Sequence, residues 1–97
     1  MEQRDTLLAS VDPLLAELHE DPTRVILGLC RVYCALVTGE LVPEIDAATW
    51  AHARFPHIGI QRAQVIYVTG GSPDYEGIDL DYVAENLRAL IAQQDRP

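Results

Sequence analysis

Ninety-seven residues, 48% of them hydrophobic, make one globular domain and exclude a disordered chain. A formal net charge of −8 opposes nucleic acid and anionic membranes and favours cationic partners. Gly, Arg or Thr breaks every apolar run well before membrane-spanning length, so no transmembrane helix is expected.

The start, MEQRDTLLASVDP, is acidic and lacks the basic head and apolar block of a signal peptide, which predicts a cytoplasmic chain. Leu7, Leu8 and Val11 are placed in an early turn. Asp12-Pro13 and Asp21-Pro22 each pair a capping acid with a proline pre-set for the first helical position. They predict helices over 12–20 and 22–38, the second ending at Gly39, which suits a left-handed stop. On the second helix Val25, Leu29, Val32 and Leu36 form one apolar face and Ile26, Cys30, Tyr33 and Val37 another. Leu27 and Cys34 widen the coverage. A helix this apolar is expected to be enclosed by others. Arg31 then reads as a buried guanidinium clamped by an acid from Glu17, Asp46 or Glu85.

Pro43 opens a helix over 44–55, carrying the sole Trp, and Pro56 ends it. A further helix spans 58–69, closed by Gly70-Gly71, and GGSPDYEG (70–77) is a loop. Leu80, Val83, Ala84, Leu87, Leu90 and Ile91 then fall on one face of a last helix, 78–93, after which QQDRP frays. The expected fold is all-α, one domain over 1–97. It is a compact bundle of about five helices around a central, nearly all-apolar one.

Chemistry-bearing residues are few. Cys30 and Cys34 share a helix face, but no further Cys or His falls at ligand spacing, so they read as small buried hydrophobes in a reducing compartment. His19, His52 and His57 read as surface histidines. Gly71-Ser72 before Asp79-Leu80-Asp81 imitates a nucleotidyltransferase signature. Six residues between Ser72 and Asp79 are too few for its intervening helix, and acids in a first helical turn are ordinary dipole partners. No Arg is followed by His four to six residues on, the pair that small helical RNases of the HEPN type need.

One stretch carries a family likeness. Asp21, LGLCRVY (27–33), Thr38-Gly39, Pro43, AATWAHARFP (47–56) and the Ala63/Tyr67 pair follow one another in order. This pattern resembles the C-terminal helical domain of aminoglycoside adenylyltransferases of the streptomycin/spectinomycin type, over about residues 17–71. The resemblance implies a domain that packs on a nucleotidyltransferase domain, with drug and ATP in the cleft between them. It implies that Asp21, and Glu17 one turn earlier, face a cationic aminoglycoside, and that Tyr67 contacts the nucleotide. Two departures stand out. Glu44 replaces a Lys that reaches the ATP phosphates, and a tryptophan used for streptomycin is missing before Asp21.

With no phosphate-cradling turn and no metal-binding acid set, the chain alone is expected to be non-catalytic and to bind no cofactor or metal by itself. ATP and magnesium enter only through a catalytic partner domain. The expected role is substrate recognition. The alternative is a non-enzymatic interaction module, partnered by a separate nucleotidyltransferase domain or by self-association. Drug binding by sequestration is a third possibility.

Overall fold

The computed structural model describes residues 2–94, with side chains from Arg4 onward. Six helices follow one another: α1 (Glu2–Ala9), α2 (Val11–Ala16), α3 (Pro22–Thr38), α4 (Glu44–Arg54), α5 (Ile58–Thr69) and α6 (Leu80–Gln93). No strand occurs among the described residues. α3 is the hub and packs against each of the other five.

Local chemistry sets most boundaries. Asp21 caps α3 and accepts from the Arg24 backbone N–H at 3.3 Å, with Pro22 at the first helical position. Gly39 ends α3 at φ +80° and Gly70 ends α5 at φ +68°, where any Cβ would be strained. Asp79 caps α6 through a 3.0 Å bond from the Tyr82 N–H. α4 carries Glu44 and Asp46 in its first turn and His52 and Arg54 in its last, matching the helix dipole at both ends.

The core follows the expected faces except at Val37, which ends the second α3 face and is exposed. Val25, Ile26, Leu27, Leu29 and Cys30 of α3 are almost fully enclosed. Ala47, Ala48 and Ala51 of α4 are fully buried, and these small side chains let α3 and α4 approach closely. The Tyr33 and Trp50 rings meet edge-on at 4.9 Å, and the Arg54 guanidinium lies 4.1 Å from the Trp50 ring centroid. Val83, Ala84, Leu87 and Ile91 of α6 close the far side.

Three expectations need correction. The N-terminal residues form a full helix, α1, rather than a turn. The helix expected over 12–20 runs instead from Val11 to Ala16, after Ser10. Residues 17–20 are turns, because Asp21 must leave helical geometry (φ −146°, ψ 70°) to cap α3, and Leu18 thereby reaches the core.

Arg31 is the third. It is exposed, and it makes no ion pair among the described residues. Arg24, Gly28 and Arg31 recur at i, i+4 and i+7, so they share the one stripe of α3 that its neighbours leave partly open. Of the expected acid partners, Glu17 pairs with Arg24 and Glu85 with Arg88. The frayed end lies partly in residues 95–97, outside those described.

Candidate functional site

The open stripe of α3 leads to the acids singled out from the sequence. Glu17 lies in the turn after α2 and Asp21 at the α3 cap, so the 17–20 turn carries both carboxylates to one place. Arg24 joins them. Its Nη2 donates to Glu17 Oε1 and its Nε lies 3.6 Å from Asp21 Oδ2. All three side chains are about half open, at 51%, 52% and 48% for Glu17, Asp21 and Arg24. Beside them is a cavity of about 380 Å³ lined by Ser10, Pro13, Leu14, Glu17 and Arg24.

The loop after α5 braces this corner from behind. Tyr75 is buried, and its hydroxyl is 2.7 Å from Thr23 Oγ1 in the first turn of α3. Burial holds its phenol above the ordinary tyrosine range. The Thr23 bond and the Arg62 charge act the other way, and the Asp21 charge adds to the rise. Arg62 in turn donates to the Asp74 carbonyl at 2.6 Å and fixes the loop to α5. His19 Nε2 lies 2.9 Å from Asp81 Oδ1, tying the 17–20 turn to the start of α6. Asp81 and the capping Asp79 are therefore both in structural use.

Arg24 and Tyr75 are the residues that sequence reasoning missed. Arg24 had a readable signal, three residues after Asp21 and seven after Glu17. Tyr75 had a weaker one, as the lone aromatic in a polar loop.

A second cleft, of about 280 Å³, opens on the other side of Leu14, which leans onto Gly28. Arg31 and Glu44 line it, with Leu7, Val32 and Leu41. Arg31 is seven residues beyond Arg24, a rise of roughly 10 Å along α3. Glu44, the residue that departs from the pattern, thus faces a cleft of its own with an arginine in it.

Tyr67 is elsewhere. It projects from α5, 55% exposed, and no hydrogen bond, ion pair or ring contact among the described residues ties it to the acid pair. On the same helix Ile58, Val65 and Val68 are 58%, 57% and 70% exposed, an outward apolar row.

The remaining candidates are structural. Cys30 and Cys34 are buried free thiols, and burial, with Cys34 adding, pushes the Cys30 thiol up to about 12. His57 caps α5, its Nδ1 accepting from the Gly59 N–H at 2.8 Å, and His52 Nδ1 accepts from the His57 N–H at 3.1 Å. These two are joints of the α4–α5 corner as well as partly open histidines. Among the described residues no three His, Cys, Asp or Glu side chains gather as metal ligands would.

A family model described as aminoglycoside adenylyltransferase, C-terminal domain, matches residues 2–93. No curated protein and no solved structure matches the chain.

Proposed function

The chain belongs to the aminoglycoside adenylyltransferase C-terminal domain family, and from that premise we propose that it is a substrate-recognition domain for cationic aminoglycosides, without catalysis of its own. One observation carries this reading. Glu17 and Asp21 converge on a guanidinium, that of Arg24, beside a cavity open to solvent. Two carboxylates that hold one guanidinium have the chemistry to hold another, since charge-assisted and forked bonds suit that group. Streptomycin carries guanidinium groups and spectinomycin carries ammonium groups. The net charge of −8 adds a long-range attraction for either drug.

Nucleotide chemistry belongs to this reading only through a separate nucleotidyltransferase domain. That domain would supply the magnesium-binding acids, and Tyr67 would meet the nucleotide. The carboxylate of Glu44 opposes phosphate where the family carries a Lys, so ATP binding by this chain alone does not follow.

Calorimetry tests the reading. Streptomycin and spectinomycin are titrated into the protein with and without Mg-ATP. Binding to the native chain is expected. Asp21→Asn and Glu17→Gln should each weaken it by about tenfold or more, the worth of a hydrogen bond to a charged group. Asn is as good a helix cap as Asp, so the first variant removes charge without removing the cap. No heat at millimolar drug overturns the reading.

A second reading has its own support. The exposed row of Ile58, Val65 and Val68, with Tyr67 nearby, suits an interaction module that has kept the fold and given up the ligand. Such a module self-associates or docks a separate catalytic domain. Sedimentation that shifts with concentration and is lost in Val65→Glu would favour self-association.

A further inference from the structure

We propose that Arg24 is a tethered occupant of the Glu17–Asp21 carboxylate pair, which an incoming cation must displace, so that Arg24 sets which cations bind. This rests on the recognition reading above and concerns how that site is regulated.

The geometry is that of a ligand already in place. The Arg24 guanidinium reaches both carboxylates at once, donating to Glu17 and lying 3.6 Å from Asp21 Oδ2. Its own backbone N–H donates to Asp21 Oδ1, so the tether is short and the local concentration of the guanidinium is high. The neighbouring positive residues are spoken for or distant. Arg62 is bound to the Asp74 carbonyl, and Arg31 is about 10 Å along the helix and lines the other cleft.

Arg24 is also free to leave. All three partners are about half open, and ion pairs at such sites are individually weak. The same side chain lines the cavity of about 380 Å³ formed with Ser10, Pro13 and Leu14, so there is room for an arginine stem to withdraw along apolar surface.

Selectivity follows from the arithmetic of charges. A monocation takes one carboxylate and leaves Arg24 on the other, gaining little. A molecule with two or more guanidinium or ammonium groups takes both and frees Arg24 altogether. The site is therefore built to respond to polycations and to ignore single charges.

The test uses the full chain, streptomycin as polycation and guanidinium chloride as monocation, in calorimetry at constant ionic strength. Arg24→Gln is expected to bind streptomycin three- to tenfold more tightly. Arg24→Lys should stay within about twofold of the native chain, because it returns a tethered cation. Arg88→Gln is the control, since it also removes one positive charge and frees one carboxylate, that of Glu85. Its affinity should change less than twofold. Guanidinium should bind the native chain far more weakly than streptomycin.

Four results are decisive. Native binding that Asp21→Asn abolishes but Arg24→Gln leaves unchanged or weakens sinks this proposal and keeps the recognition reading. Equal gains in Arg24→Gln and Arg88→Gln also sink it, because the effect is then general electrostatics. Tighter binding in Arg24→Gln than in the native chain, with near-native affinity in Arg24→Lys and no gain in Arg88→Gln, supports it most strongly. No binding to the native chain or to Arg24→Gln overturns both.

Discussion

At the scale of single residues, burial and placement decide what a side chain does more than its chemical type. Cys30 shows this. Its thiol is held near 12 by burial, against an ordinary value of 9.0. Stability linked to this group is complete below pH 9 and is lost as pH rises from 9 toward 12, because only the unfolded chain releases the proton in that window. The chain has no lysine, and the raised phenol of Tyr75 acts in the same direction above pH 10. Urea denaturation is expected to show a loss of about 2 kcal/mol between pH 8 and 10.5, flattened in Cys30→Ala. The native thiol should also resist a water-soluble disulfide reagent at pH 8 until the chain unfolds. Asp21 has two tasks. As the α3 cap its replacement by Ala should cost about 1 kcal/mol, read as a lower urea midpoint, whereas Asp21→Asn should cost a few tenths.

At the scale of elements, start and stop signals were the most readable part of the sequence. Asp21-Pro22, Gly39, Pro43 and Gly70 stand where helices begin or end, because each acts through local backbone geometry alone, whereas the last helix starts at Leu80 after the Asp79 cap and not at 78. Gly39→Ala forces a Cβ into φ +80° and is expected to lower stability by about 1 kcal/mol in thermal denaturation. The Asp12-Pro13 signal misled. An acid and a proline fit the first turn of a helix as well as its cap, and the helix begins at Val11, after Ser10. On α3 the run of apolar residues hid the open Arg24–Gly28–Arg31 stripe. Seven-residue spacing of the two arginines was visible, but whether neighbours cover that stripe is not a property of α3.

At the scale of the molecule, α3 buries its apolar faces against all the other helices, so no part of the bundle has a core of its own. Unfolding should be a single transition, with helix signal and Trp50 fluorescence coinciding. Leu29 is fully buried at the centre of that hub. Leu29→Ala should remove about 3 kcal/mol and lower the melting temperature by roughly 10–20 °C, a large part of what a chain of this length possesses. No described helix is long and apolar enough to cross a membrane. The outward apolar row of α5 is also a whole-molecule feature, since α5 buries Gly59, Ile60 and Ala63 and turns Val65 and Val68 away.

The sequence by itself determined the helical class, the ends of α3 and α5 and the family pattern, because caps, glycine stops and apolar periodicity act over three or four residues. The family resemblance also pointed to Asp21 and Glu17. Only the tertiary structure decided that a turn brings them together, that Arg24 stands between them, that Tyr75 braces them and that Arg31 is open. Those outcomes depend on which surfaces of α2, α3 and the loop after α5 cover one another, and coverage is settled by the packing of the whole chain.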